Sequence, residues 1–286
     1  MTSFEELTTK ERPTWCPGCG DWGILTALKK ALVELNLPKH QVVVVAGIGC
    51  SGHLPQWINT YAFHSLHGRA LPVAQAIKLA NHELNVIAVG GDGDGYGIGM
   101  GHFIHAMRRN VNITYIVHDN QIYGLTTGQA SPTSEKGFKT KSTPHGQIEP
   151  PVNPIALALS ADCSFVARGF AGDVPHLVKL IVQGVQHKGF ALIDVLQPCV
   201  TFNYLNTFDY FYRRIYKLEE DSSYDPTNKQ EAFKRAFEWG ERIPIGLFYK
   251  ENRKTYEDEL PQISQMPLVK QKIDFVDIKN LIEEMC

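Results

Sequence analysis

The chain has 286 residues, of which 43% are hydrophobic, a composition that is ordinary for a globular protein. Its length can hold one large α/β domain with an appended segment. Lysine and arginine total 28 against 30 acidic residues, and this balance argues against nucleic acid as a partner, since nucleic-acid-binding proteins usually carry a basic excess. The apolar runs are too short to cross a bilayer. Residues 1–12 are polar and lack the apolar core of a secretory signal, so we expect a cytoplasmic protein without a membrane segment.

Strands and helices are predicted to alternate along the chain up to residue 196. Leucines at helical spacing predict a first helix over residues 21–36. The alternation that follows implies a doubly wound parallel α/β sheet, which the last predicted strand is expected to close. The predicted strands cover residues 42–46, 86–90, 113–117, 165–167 and 190–196, and the predicted helices cover residues 73–83, 97–109, 154–160 and 174–186.

Two later segments differ from this pattern. Residues 131–154 are rich in Pro, Ser, Gly and Lys, and a loop of this length is either functional or mobile. Aromatic residues crowd between Phe202 and Tyr216, where they suit either a core or a surface that binds a partner. We therefore expect a cofactor-binding domain over residues 1–200 and a C-terminal extension over residues 201–286 that contacts another subunit.

A glycine-rich acidic motif follows the predicted strand 86–90. In Gly90-Gly91-Asp92-Gly93-Asp94 the glycines let the backbone approach a phosphate, and the amides of the next helix would face the same anion. Asp92 offers a hard carboxylate oxygen that suits Mg²⁺. Asn120 follows the next strand, at the sheet edge where α/β proteins bind ligands. The pattern predicts a magnesium–diphosphate site, although a lone motif of this kind also fits an ordinary turn.

Four of the six cysteines are candidates for a metal centre. Cys16 and Cys19 form a C-x-x-C motif, which in an intracellular protein binds metal or acts in redox chemistry more often than it forms a structural disulfide. Cys50 and Cys199 follow predicted strands and could converge with the motif at one edge of the sheet. Four thiolates suit a [4Fe–4S] cluster as well as Zn²⁺, and the ligand type alone leaves both open. Cys163, in contrast, is expected to be a buried free thiol.

Five motifs in order along the chain carry a resemblance to one family. They lie at residues 15–21, 47–51, 63–69, 91–94 and 120–126, and together they resemble the β subunit of 2-oxoacid:ferredoxin oxidoreductases over residues 14–203. The resemblance implies a sheet of the thiamine-diphosphate-binding type, with thiamine diphosphate, Mg²⁺ and one [4Fe–4S] cluster as cofactors. It also implies an α subunit as partner, coenzyme A as co-substrate and acyl acceptor, and ferredoxin as electron acceptor.

The resemblance also implies roles for individual residues. The cluster ligands would be Cys16, Cys19, Cys50 and Cys199. The magnesium ligands would be the side chains of Asp92 and Asn120 and the carbonyl of Ile122. The expected cofactor-binding residues are Gly49, Ser51, His67, Gly68, Gly91, Gly93, Asp94 and Thr126. His67, by resemblance, and Leu125, because it directly follows the metal loop and can reach the reactive end of the cofactor, are the catalytic candidates.

The sequence departs from the family pattern at two places. Related chains often read Leu-Thr-Gly-Gly-Gln where this chain has Leu125-Thr126-Thr127-Gly128-Gln129, and Thr-Gly where it has Gln75-Ala76. Neither change removes a metal or cluster ligand. Both concern the pocket, so the 2-oxoacid, whether pyruvate, 2-oxoglutarate or another, is left open, as is the size of the αβ assembly.

The implied activity is the coenzyme A-dependent oxidative decarboxylation of a 2-oxoacid to acyl-CoA and CO₂, with electrons passed through the cluster to ferredoxin. Thiamine enzymes activate the cofactor's aminopyrimidine ring with a glutamate, and no glutamate of this chain is a convincing candidate. The resemblance places that glutamate on the α subunit, so the isolated chain is expected to be inactive. Two alternatives are a thiamine-dependent decarboxylase or synthase without a cluster, and a zinc-stabilised α/β interaction module.

Overall fold

The computed structural model describes residues 2–272 and 277–285 of the chain. Its strands are β1 (Val42–Ala46), β2 (Tyr61–His64), β3 (Asn85–Gly91), β4 (Thr114–Asp119), β5 (Phe165–Phe170), β6 (Ala191–Leu196), β7 (Ile215–Lys217) and β8 (Ile243–Lys250). Within these described ranges the eight strands form one sheet in the order β2-β1-β3-β4-β6-β5-β8-β7.

The sheet is covered by helices on both faces. The α-helices are α1 (Asp21–Glu34), α2 (Ala70–Ala80), α3 (Met100–Arg109), α4 (Pro154–Ser160), α5 (Val174–Gln186), α6 (Phe208–Tyr212), α7 (Lys229–Ala236) and α8 (Lys279–Glu283). A π-helical turn, Gly93–Ile98, lies between β3 and α3. In the part of the chain that the structure describes, no helix is long and apolar enough to cross a membrane.

The topology confirms the doubly wound α/β sheet. Strands β1 to β6 pair in parallel. From β1 the chain moves outward to β2, whereas β3 lies on the other side of β1 and leads towards β4. The order therefore reverses between β1 and β3, and the crevice beyond their carboxyl ends is where open α/β sheets bind ligands.

The core consists of two apolar layers, one on each face of the sheet. Helices α1 and α5 pack on one face, where Leu28 and Ile181 meet strand residues such as Ile116. Helices α2, α3 and α4 cover the other face, where Phe103 and Ile155 lie in the same cluster. Strands buried on both faces need continuous apolar runs, which is why β1 reads as valines and was recognised in the sequence.

The C-terminal part corrects the expectation that the strand ending at Leu196 closes the sheet. β8 pairs antiparallel with β5, and β7 pairs in parallel with β8. Seven of the eight residues of β8 are buried, but this apolar run is flanked by Arg242 and Lys250 in a charged segment, which hid it in the sequence. β7 and β8 therefore complete the sheet, and contact of the C-terminal extension with another subunit stays a prediction.

Other boundaries differ from the expected ones by a few residues, and β2, like β7 and β8, was not predicted. β2 is an edge strand whose four residues are all exposed, so no apolar pattern marks it. β4 extends to Asp119, which places Asn120 directly at its end. The aromatic segment is partly core, since Phe211 is buried with Phe170, whereas Tyr204 is 64% exposed and its contact with a partner stays a prediction.

Candidate active site

Two neighbouring cavities open at the carboxyl ends of the central strands. The glycine-loop cavity, of about 140 Å³, is lined by residues 48–51, His67, residues 91–94, His118, Asn120 and residues 122–126. The thiol cavity, of about 240 Å³, is lined by residues 14–16, Cys19, Asp21, Cys50, His53, Asn120, Gly124, Leu125, Thr127 and residues 199–202. Cys50, Asn120, Gly124 and Leu125 belong to both linings, so the two cavities share a wall.

Asp94 holds the walls of the glycine-loop cavity together. Its Oδ1 accepts hydrogen bonds from the amide of Ile48 at 2.9 Å, the His67 ring at 2.7 Å and the amide of Gly68 at 2.7 Å. The carboxylate is buried, and it packs so closely on Gly47 that a Cβ there would lie 1.9 Å from Asp94 Oδ2. Asp94 therefore fixes the loop after β1 and the His67–Gly68 turn against the glycine motif.

Asp92 lies buried at the end of β3, beside the glycine loop. Its Oδ2 accepts hydrogen bonds from Ser131 and, at 2.7 Å, from Thr133. No side chain among the described residues bonds to Oδ1. Burial raises the pKa of Asp92 to about 6, against the lowering effect of these two hydroxyls. A bound cation would reverse that effect, because a nearby positive charge favours the ionised carboxylate.

A second buried acid adjoins Asp92 through one hydroxyl. Thr133 Oγ1 lies 2.7 Å from Asp92 Oδ2 and 2.7 Å from Asp119 Oδ1. A hydroxyl has one proton, so it can donate to only one of the two carboxyl groups. Burial and the neighbouring carboxylate of Asp194 raise the pKa of Asp119 well above its ordinary value. If Asp119 is protonated and donates to Thr133, then Thr133 can donate to Asp92. Each of the three groups then has a hydrogen bond, and Asp92 is the ionised carboxylate.

Asn120 and the turn after it reach both cavities. Asn120 Oδ1 accepts from the amide of Ile122 at 3.1 Å, and Asn203 donates to the Asn120 carbonyl at 2.9 Å. Gln121 adopts a left-handed conformation with φ 58°, which turns the chain sharply after β4. A Cβ on Gly124 would lie 3.5 Å from Cys50 Sγ and 3.7 Å from Cys199 Sγ, so this turn lies directly beside the thiols.

The structure brings the four candidate cysteines together around the thiol cavity. Cys19 and Cys199 are buried, Cys50 is half-buried and Cys16 is exposed. Burial raises the pKa of Cys50 to about 12 and that of Cys19 further still, so the thiolates need a bound cation or cluster to form. In residues 2–272 and 277–285, no three His, Cys, Asp or Glu side chains are placed to share one metal ion.

Other expected site residues fall into three groups. Gly68 lies outside the cavity lining and makes a tight turn with φ 69°, where a Cβ would collide with Ile98 at 2.6 Å. Leu125 is 50% exposed and lines both cavities, whereas Thr126 lines only the glycine-loop cavity. Cys163 is fully buried elsewhere, with its thiol donating to the Phe165 carbonyl at 3.2 Å, as expected of a free core cysteine.

The sequence reasoning missed a buried pair below the shared wall. Asp21, at the start of α1, accepts a hydrogen bond from His118 Nδ1 at 2.6 Å. The other carboxylate oxygen of Asp21 lies 3.3 Å from Cys19 Sγ. A signal was present, because His118 and Asp119 interrupt an otherwise apolar strand immediately before Asn120. Buried polar side chains require hydrogen-bond partners. At the carboxyl end of a strand in an α/β sheet, such side chains indicate a functional site.

Comparison with known proteins places this geometry in a family. The model of the C-terminal thiamine pyrophosphate-binding domain of thiamine pyrophosphate enzymes matches residues 39–195. The model of the C-terminal part of the pyruvate ferredoxin oxidoreductase β subunit matches residues 199–265. The second match covers the segment that completes the sheet after β6.

Individual relatives agree with these models. A 2-oxoacid:ferredoxin oxidoreductase β subunit of Saccharolobus solfataricus is 49% identical, covering 94% of this chain and 95% of that protein. The 2-oxoglutarate oxidoreductase subunit KorB of Mycobacterium tuberculosis is 42% identical, covering 85% of this chain and 61% of that protein.

A solved structure extends the likeness to the whole chain. The 2-oxoglutarate:ferredoxin oxidoreductase of Magnetococcus marinus, with 2-oxoglutarate, coenzyme A and succinyl-CoA bound, superposes with a TM-score of 0.92 and 35% identity. The match covers 100% of this chain and 96% of that chain. The chain therefore belongs to the family of 2-oxoacid:ferredoxin oxidoreductase β subunits.

Proposed function

We propose that this chain, with an α subunit, catalyses the coenzyme A-dependent oxidative decarboxylation of a 2-oxoacid to acyl-CoA and CO₂. Electrons would pass through a [4Fe–4S] cluster to ferredoxin. The observation that carries the proposal is the wall shared by the two cavities. Asn120, an expected magnesium ligand, and Cys50, an expected cluster ligand, both belong to it. A cofactor in one cavity would lie directly beside an electron acceptor in the other.

The glycine-loop cavity suits magnesium and thiamine diphosphate. Asp92, Asn120 and the Ile122 carbonyl offer the oxygen ligands that Mg²⁺ prefers. The buried atoms Ser51 Oγ and His118 Nε2 have no hydrogen-bond partner among residues 2–272 and 277–285, and both residues line this cavity, so they can meet polar groups of a ligand. When bound there, thiamine diphosphate supplies the electron sink for loss of CO₂ from a 2-oxoacid. The residues of this chain bind and orient it.

The thiol cavity suits a cluster better than a single ion. Its four cysteines line a space of about 240 Å³. A zinc ion needs sulfur ligands about 2.3 Å from one point, whereas a [4Fe–4S] cluster holds its four thiolates further apart. Gln197 Nε2, 3.2 Å from Cys19 Sγ, offers the hydrogen bond to sulfur that tunes such clusters.

The proposed partners are an α subunit, a 2-oxoacid and coenzyme A. The family resemblance places the activating glutamate on the α subunit, and this agrees with the lining of the glycine-loop cavity, where no described residue is a glutamate. The His67 side chain is 41% exposed at the cavity mouth, where a second subunit could cover it. The Magnetococcus marinus relative with bound 2-oxoglutarate and coenzyme A supports both as ligands, and 2-oxoglutarate is the first substrate to test.

Purification of the αβ complex without oxygen tests the proposal against both alternatives. We expect a brown protein with about four irons per β chain, in which a 2-oxoacid and coenzyme A together drive reduction of ferredoxin. One zinc ion per chain and no thiamine diphosphate binding would instead identify the zinc-stabilised interaction module. Thiamine-dependent release of CO₂ by an iron-free complex would identify a decarboxylase or synthase.

A further inference from the structure

The buried pair of Asp21 and His118 lies between the two cavities. His118 is on β4, where it pairs with Gly91 of the glycine motif across the sheet. Its ring is 1% exposed and lines the glycine-loop cavity. Asp21 is fully buried and lines the thiol cavity. The pair is therefore a direct polar link from one cavity to the other.

Both nitrogens of His118 are buried, but only one has a partner. Nδ1 lies 2.6 Å from Asp21 Oδ1, which fixes the plane of the ring. Nε2 has no hydrogen-bond partner within the described part of the chain. A buried polar atom without a partner is costly, and such atoms in native proteins usually have a role or an unseen ligand.

The position of His118 identifies the part of the ligand that it would meet. Gly91, its neighbour on β3, precedes Asp92, and a Cβ on Gly91 would lie 3.6 Å from Ser51 Oγ, a second partnerless atom. Asn120 follows His118 by two residues. His118 and Ser51 therefore both adjoin Gly91, next to the expected magnesium ligand Asp92, which is where a diphosphate held by that magnesium would lie.

We propose that His118, with a proton on both ring nitrogens, donates from Nδ1 to Asp21 and from Nε2 to the cofactor's diphosphate, and that Asp21 is the residue that positions it. The proposal rests on the proposed binding of thiamine diphosphate. Asp21 has a second effect, since its Oδ2 lies 3.3 Å from Cys19 Sγ. The same carboxylate therefore orients a cofactor ligand and places a negative charge beside a sulfur of the thiol cavity.

Two substitutions at His118 distinguish the role of Nδ1 from the role of Nε2. In His118→Asn the amide nitrogen can take the place of Nδ1 and keep the bond to Asp21, but nothing reaches the place of Nε2. In His118→Gln the amide reaches the place of Nε2. Calorimetry of magnesium thiamine diphosphate binding to cofactor-depleted αβ complex should show binding about ten-fold or more weaker for the Asn variant, since hydrogen bonds to charged groups are the stronger ones. The Gln variant should bind more tightly than the Asn variant but more weakly than the unmodified complex, because it regains the donor at the Nε2 place and loses the positioning bond to Asp21.

His176→Asn is the matched control. His176 is also a buried histidine, on α5, and it lines neither cavity. Its substitution should leave cofactor affinity unchanged, and the unfolding temperature of each apo complex reports any loss of folding. Equal affinity in the Asn variant and the unmodified complex would overturn the role of Nε2. Absence of binding by the unmodified complex would instead refute the proposed function.

Asp21→Asn tests the link to the thiol cavity by a different readout. Removing a negative charge beside Cys19 should move the midpoint potential of the cluster to a more positive value, because net charge and hydrogen bonds set such potentials. His118→Asn keeps the Asp21 charge and should leave the potential unchanged. An Asp21→Asn complex with full iron content and an unchanged potential would show that Asp21 has no influence on the cluster.

Discussion

Asp92 is the residue on which the proposed magnesium site depends most. It is buried, it follows the central strand β3, and Ser131 and Thr133 hold it through one oxygen. These hydroxyls come from the segment 131–154, whose composition alone suggested only a loop. The carboxylate is thus fixed before any ligand binds, which favours tight coordination because little ordering remains to be done.

Replacement of Asp92 with Ala should abolish tight binding of magnesium thiamine diphosphate without unfolding the chain. The substitution removes a charged ligand whose pKa is already raised by burial, so the apo fold loses no favourable charge. Calorimetry on the αβ complex measures the effect, and Asp162→Ala, a mostly exposed acid distant from the cavities, is the control. Ordinary cofactor affinity in the Asp92 variant would remove Asp92 from the site.

Cys50 is the cysteine that belongs to both cavity linings. Cys50→Ser should lose or destabilise the cluster, since a hydroxyl is a poor substitute for a thiolate ligand of iron. Cys163→Ser should retain it, because Cys163 is buried away from the cavity. Iron content and the visible spectrum of the anaerobically purified complexes report the difference. Unchanged iron in the Cys50 variant would contradict its assignment.

Leu125 is the residue proposed to influence substrate choice. It lines both cavities and is 50% exposed, so its side chain has room to contact a bound substrate. A pocket wall acts through differential binding of the transition state, and a methylene group is worth about 1–3 kcal/mol. Leu125→Ala should therefore change the ratio of activities on small and large 2-oxoacids about ten-fold or more. A uniform fall across all 2-oxoacids, in a complex that assembles normally, would exclude Leu125 from the selectivity wall.

At the scale of elements, the C-terminal segment is part of the fold rather than an appendage to it. Phe211 of α6 packs with Phe170 of β5, Leu196 of β6 and Ile245 of β8 in one buried cluster. A domain boundary at residue 200, as expected from the sequence, would separate Phe211 and Ile245 from Phe170 and Leu196. Strand pairing between β5 and β8 also crosses that boundary.

Phe211→Ala should destabilise the whole sheet. Loss of a fully buried aromatic side chain costs about 3–5 kcal/mol, and the loss should appear in one cooperative unfolding transition. Phe237→Ala, at a position that is 68% exposed, should change stability by less than about 1 kcal/mol. Denaturant unfolding measures both. A Phe211 variant as stable as the unmodified chain would show that the segment folds independently of the sheet.

The elements that sequence could predict are those marked by a local pattern. β1 and β3 are continuous apolar runs, and the glycine motif follows β3 directly, so their places were foreseen. β2 has no buried residue, and β8 is surrounded by charges, so their pairing depends on contacts that a local pattern does not contain. The Asp21–His118 pair joins residues 97 positions apart, which only the folded sheet brings together.

At the scale of the whole molecule, this chain is proposed to form the cofactor-binding part of an active site that an α subunit completes. The two cavities lie at the point where the strand order reverses, and under the proposed function an α subunit would supply the activating glutamate. The edge strand β2 leaves Tyr61 62% exposed, and Leu66, just after it, is 77% exposed beside His67 at the cavity mouth. A second subunit over the mouth would exclude water from the cavity, which strengthens electrostatic interactions inside it.

The central claim is that one chain holds the cofactor beside its electron acceptor, and electron paramagnetic resonance of the anaerobic αβ complex tests it most directly. Addition of 2-oxoglutarate or another accepted 2-oxoacid, with coenzyme A, should produce the signal of a reduced [4Fe–4S] cluster. The Asp92→Ala complex, with its iron intact, should give that signal only with a chemical reductant. A cluster that the 2-oxoacid reduces in the Asp92 variant, or one that no 2-oxoacid reduces in the fully loaded unmodified complex, would contradict the account.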